Sequence, residues 1–108
     1  MDNFKIIYRI LKHLEASLDC EYTDIEPIKA ERLGINHARW EQLIIMLQEE
    51  GYIKGIDITK VLGDDRSRIV EPITPVITLK GLEYLSENAV MKKAANILKG
   101  IKDITPGL

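Results

Sequence analysis

Apolar positions recur at spacings of three and four from the start of the chain. Phe4, Ile7, Leu11, Leu14 and Leu18 fall on one face of a helix predicted from about Asp2 to Leu18. Ile6 and Ile10 add a flanking apolar strip, so this helix is expected to touch two neighbours. Asp2 near its start complements the helix dipole. Residues 20–26 lack a helical period and read as a turn and a short extended piece. Pro27 suits a helix's first turn, where its missing N–H costs nothing. Ile28 and Leu33 anchor this short second helix, and Gly34 ends it. Asn36 is a good N-cap for a third helix over about His37 to Glu50, with Gly51 as its stop. Trp40, Leu43, Ile44 and Leu47 share one side of it. Ala38, Glu41, Gln42, Ile45 and Glu49 occupy the opposite side, predicted to face solvent.

After Gly51 the period changes. Tyr52 to Ile58 reads as a strand, in which Ile56 and Ile58 alternate with Asp57. Gly63-Asp64-Asp65 is turn chemistry within Val61 to Val70, flanked by Lys60, Arg66 and Arg68. Pro72 and Pro75 limit ladder pairing, and Val76-Ile77 makes a short return strand. A hairpin directly after a helix-turn-helix is a wing. Thr78 is a plausible N-cap for a helix from Leu79 to about Glu87, where Gly81 implies close helix packing. Asn88-Ala89 reads as a joint. A last helix from about Val90 to Ile104 carries Ala94, Ile97, Leu98, Ile101 and Ile104 on one stripe, expected to pack on Ile6 and Ile10; Pro106-Gly107-Leu108 forms a loose end. The pattern predicts an α+β fold: a winged helix-turn-helix with additional C-terminal helices. One domain would span residues 1–108, with the helix-turn-helix at about 27–50, the wing at about 52–78 and the C-terminal helices at about 79–104.

A chain of 108 residues that is 45% apolar fits one compact domain with a modest core. No apolar run approaches the ~20 residues that span a bilayer. Met1-Asp2-Asn3-Phe4-Lys5 lacks the basic start and apolar block of a signal peptide. Cys20 is the sole cysteine, so no internal disulfide forms. A cytoplasmic location is therefore expected. The net charge is −2, whereas proteins that live by binding phosphate usually carry a basic excess. The acidic excess sits in residues 21–50, with seven acidic and three basic side chains.

Three stretches carry a resemblance. They are Leu33-Gly34-Ile35-Asn36 leading to Trp40 and Gly51-Tyr52-Ile53-Lys54-Gly55-Ile56, then Ile77-Thr78-Leu79-Lys80-Gly81-Leu82-Glu83-Tyr84-Leu85, then Ala89 to Ile104. In this order and spacing the chain resembles the YjcQ-like family of small bacterial and prophage proteins over nearly its whole length. The resemblance implies a winged-helix fold and a phage or prophage context. It implies no catalytic residues. The segment from Thr59 to Thr74 is longer than the resemblance implies.

No enzymatic constellation emerges. His13 and His37 lie on different helices and, with one cysteine, make no metal spacing. Cys20 lacks a recognisable base and orienting group, and is expected to be an inert, partly buried thiol. Asp64-Asp65 and Glu49-Glu50 read as solvated turn or surface carboxylates. Gly51, Gly55 and Gly63 fit caps and turns rather than a phosphate loop. No cofactor and no metal is expected. Nucleic acid is the sharper prospect, because a winged helix usually sets its third helix in the major groove and its wing near phosphate. The candidate contacts are His37, Arg39 and Gln42 on the helix, and Lys60, Arg66 and Arg68 on the wing. Glu41 and Glu49 on the helix's outward face oppose this. The rival expectation is a protein-interaction module that uses an exposed patch of Ile45 and Met46, with a dimer open as its assembly.

Overall fold

The computed structural model describes residues 2–60, 62–63 and 65–98, of which 89–98 are described as backbone alone. Helix α1 spans Asn3–Ala16, and a 3-10 turn follows at Ser17–Asp19. Asp2 caps α1 by accepting the Phe4 N–H at 3.0 Å. The buried face is Ile6, Ile10, Leu11 and Leu14, whereas Phe4 is 68% and Leu18 54% exposed. The helix is therefore turned toward the strip expected to flank. Ile6, Ile10 and Leu14 form one i, i+4 rung that centres the buried arc. Phe4 lies at the edge of that arc, and Leu18 falls past the helix end.

A second 3-10 turn at Glu26–Ile28 contains Pro27 and leads into the short helix α2, Ala30–Leu33. Gly34 ends α2 at φ 74°, the left-handed conformation that glycine tolerates best. Helix α3 spans His37–Glu49, and the Asn36 side chain caps it by accepting the Arg39 N–H at 2.8 Å. Trp40 is buried in the same core as Leu11, Leu43 and Leu47, as its helical stripe predicts. Its indole N–H donates to the Ile28 carbonyl at 2.7 Å. The indole thus packs apolar area and also ties α3 to the turn before α2.

The single predicted hairpin is instead two short antiparallel ribbons in series. Strand β1 (Ile53–Lys54) pairs with β4 (Val76–Ile77), with Ile53 opposite Ile77. Strand β2 (Ile58–Thr59) pairs with β3 (Arg68–Ile69), with Thr59 opposite Arg68. The predicted strand from Tyr52 to Ile58 breaks at Gly55, whose φ is 91°. A Cβ there would stand 2.4 Å from the Thr74 carbonyl oxygen, so the two backbones approach as only glycine permits. Beyond the break Ile56 turns into the core, while Ile58 is 38% exposed. Pro72 and Pro75 fall between β3 and β4, where the ladder is interrupted.

Helix α4 runs from Leu79 to Leu98 without the joint expected at Asn88-Ala89. The Asn88 side chain donates to the Tyr84 carbonyl at 2.8 Å, which satisfies it within the helix. Residues 99–108 of the predicted last helix and tail lie outside the described residues, as do the stripe side chains from Ala94 onward. Thr78 caps α4 as expected: its hydroxyl accepts the Gly81 N–H at 3.1 Å and donates to the Gly51 carbonyl at 2.5 Å. At Gly81 a Cβ would meet the Tyr52 carbonyl oxygen at 2.4 Å and Ile77 Cγ1 at 2.6 Å. The close contact that selects glycine is thus with the β1–β4 ribbon rather than another helix. The core lies between α1, α3, this ribbon and the start of α4, through Ile6, Ile10, Ile44, Ile53, Ile77 and Leu85. Among the described residues no helix is long and apolar enough to cross a membrane.

Candidate nucleic-acid interface

The α3 sequence places Glu41, Ile45 and Gln48 at spacings of four and three, on one flank of the helix. Glu41 and Gln48 bond to the chain that follows β1. Glu41 is 4% exposed, its Oε2 accepting the Ile69 N–H at 3.0 Å, and its Oε1 lies 3.4 Å from Arg68 Nη1. Gln48 holds both polar groups of Ile56: its Oε1 accepts the Ile56 N–H at 2.8 Å and its Nε2 donates to the Ile56 carbonyl at 2.9 Å. Between them Ile45 is only 5% exposed. A carboxylate is costly to bury unless charge and hydrogen bonds compensate it, and Glu41 has both. Gln48 supplies the backbone partners that Ile56 loses when the strand breaks at Gly55.

Two expectations are corrected here. Glu41 does not face solvent, and neither does Ile45. At 100° per residue Glu41 lies past the edge of the apolar side and Ile45 nearly opposite it, and β3 of the second ribbon packs onto this flank through Glu41. Helical periodicity cannot register a ribbon returning from twenty or more residues away.

The outward face of α3 that remains is Ala38, Gln42, Met46 and Glu49, with Met46 48% exposed. His37 is exposed at the first turn, its ring 5.5 Å from that of Trp40. Arg39 is half-buried and directed toward α1, where Nε donates to Asn3 Oδ1 at 2.8 Å and Nη2 reaches the same oxygen. Gln42 is half-buried, and its enclosed Nε2 has no hydrogen-bond partner among the described residues. On the ribbon, Lys60 and Arg66 are exposed beyond the Thr59–Arg68 pair. Arg68 is turned back toward Glu41. The six candidates therefore form two groups. His37, Arg39 and Gln42 occupy the N-terminal half of α3, while Lys60 and Arg66 occupy the ribbon, and Arg68 joins ribbon to helix. Gly63 is left-handed at φ 87°, as a turn there requires, while Val61 and Asp64 lie outside the described residues.

The remaining polar candidates are dispersed. The His13 Nε2–H donates to the Asp24 carbonyl at 2.5 Å, tying α1 to the following loop. Cys20 is exposed rather than partly buried, because α1 ends at Ala16 and the thiol falls in the turn beyond. Among the described residues no three His, Cys, Asp or Glu side chains are placed to hold a metal ion.

Fold and surface together define a small α+β domain: three N-terminal helices, two antiparallel ribbons and a C-terminal helix. The chain belongs to the YjcQ family, whose description, YjcQ protein, matches residues 8–104. It is 30% identical over 103 residues to the protein called "Uncharacterized protein YjcQ" of Bacillus subtilis (strain 168), covering 95% of this chain and 97% of that one. The solution NMR structure of the YjcQ protein from Bacillus subtilis is also similar, at 27% identity and a TM-score of 0.48, over 78% of this chain and 92% of that one.

Proposed function

We propose that this chain is a cytoplasmic winged-helix binding module, not an enzyme, that holds duplex DNA weakly through the outward face of α3 and the β2–β3 ribbon. The order of elements supports the reading: α2, a tight turn, α3, then an antiparallel ribbon carrying Lys60 and Arg66. The observation that carries it is the withdrawal of Glu41. With its carboxylate turned to Ile69 and Arg68, the middle of the outward face loses its acid, and Glu49 stands near the helix end. Phosphate attraction is then left to Lys60 and Arg66, with Arg68 supporting the ribbon, so the contact is weak and indifferent to sequence. Gln42, half-buried, contributes to base reading only after its side chain turns outward.

The chain titrated with a mixed-sequence duplex at low salt tests this by NMR. Amide shifts should concentrate on Ala38, Gln42 and Met46 and on the ribbon from Ile58 to Arg68. Shifts confined to other surfaces would reject the placement. A second reading, a protein-interaction surface, is favoured by exposed Met46 at the centre of the same face. That surface has to form without Ile45, and a specific protein partner lost on Met46→Glu would support it over DNA.

A further inference from the structure

A cleft of about 490 Å³ opens between the loop at Ile25, α2, the first turn of α3 and the Glu71–Ile73 segment. Its apolar lining comes from Ile25, Ala30, Trp40, Pro72 and Ile73, and Glu31, Glu71, Lys29 and His37 supply its polar groups. The volume falls within the roughly 300–1,000 Å³ of small-molecule sites. The Lys29 ammonium donates to Glu26 at 3.0 Å, so its charge is matched locally. That partner, and more weakly Glu31 and Glu71, hold the Lys29 pKa above its ordinary value. Neither Glu31 nor Glu71 forms an ion pair within 4 Å among the described residues. The lining therefore carries two carboxylates, Glu31 and Glu71, while its one ammonium, Lys29, is matched by Glu26 outside it.

We propose that this cleft binds a small organic cation, an amine or guanidine carried on an apolar body. The apolar lining takes the body, and Glu31 and Glu71 take the charge. The same carboxylates repel phosphate, so the site is separate from the DNA surface proposed above and does not rest on it. A neutral ligand would forgo the charge-assisted bonds, which are about twice as strong as neutral ones.

Phenethylamine, phenethyl alcohol and hydrocinnamate, titrated in turn into the full chain, test the proposal by NMR. The amine should give saturable shifts at the Trp40 indole N–H and at the Glu31, His37 and Ile73 amides. Its affinity should exceed that of the alcohol about tenfold, as two partly screened charge contacts allow, and hydrocinnamate should bind more weakly than the alcohol. The double change Glu31→Gln and Glu71→Gln touches exposed side chains, so its thermal midpoint should stay near that of the parent. It should weaken the amine roughly three- to tenfold and leave the alcohol unchanged. Equal affinity for amine and alcohol would overturn the proposal. So would shifts that never saturate, or amine binding untouched by the double change.

Discussion

The carboxylate of Glu41 accepts the Ile69 N–H at 3.0 Å and so fastens the β2–β3 ribbon to the flank of α3. The bond joins residues 28 positions apart and is buried on the helix side. Glu41→Ala would leave the Ile69 N–H without its acceptor and remove one contact of Arg68. Hydrogen bonds to charged groups contribute about 1.5–3 kcal/mol, so a loss of about 2–3 kcal/mol is expected from urea unfolding. Glu41→Gln keeps an acceptor and should cost under about 1 kcal/mol, because half-exposed Arg68 makes a screened ion pair. Equal losses for the two variants would show that charge, not the backbone bond, holds the ribbon.

Gly81→Ala should destabilise, against the helix-propensity ranking. Alanine gains about 1 kcal/mol over glycine in an open helix interior. Here its methyl would meet the Tyr52 carbonyl oxygen at 2.4 Å and Ile77 at 2.6 Å. Overpacking of this kind costs about 1–3 kcal/mol and is expected to win. A thermal midpoint equal to or above that of the parent would show that α4 shifts freely off the ribbon.

Trp40 separates packing from hydrogen bonding. Trp40→Phe keeps an aromatic ring but strands the buried Ile28 carbonyl, at a cost of about 1–3 kcal/mol. Trp40→Ala also empties the site and should cost about 3–5 kcal/mol. Denaturant midpoints of the two variants give the comparison. A Phe variant as stable as the parent would mean that the indole N–H contributes nothing.

Local signals made most of the helical half legible in sequence. Gly34, Asn36 and Thr78 act through bonds to residues within three or four positions, and the Trp40 stripe repeats within one helix. What escaped is long-range. The period of α3 puts Glu41 nearer the apolar side than Glu49 but does not bury it; the bond from Ile69, 28 positions on, does. Ile45 is likewise buried on a side of α3 that the helical period alone assigns to solvent. The break at Gly55 depends on Thr74, whose backbone approaches from the opposite side of the ribbon. At Asn88-Ala89 a polar residue inside a helix resembles a stop unless its bond to Tyr84 is known. For the candidate interface, the sequence supplied the cations but not that Arg68 and Arg39 are engaged by Glu41 and Asn3.

The salt dependence of DNA binding is the most direct test of the central claim, that α3 and the ribbon make a weak, sequence-indifferent DNA contact. Fluorescence anisotropy of a labelled mixed-sequence duplex should rise on titration at low salt. With two to four phosphates engaged, log K should fall against log salt with a slope of about −2 to −4. Lys60→Ala with Arg66→Ala should flatten that slope by about 2 and weaken all sequences alike. Absence of binding at low salt, or sequence-selective binding that survives the double change, would contradict the account.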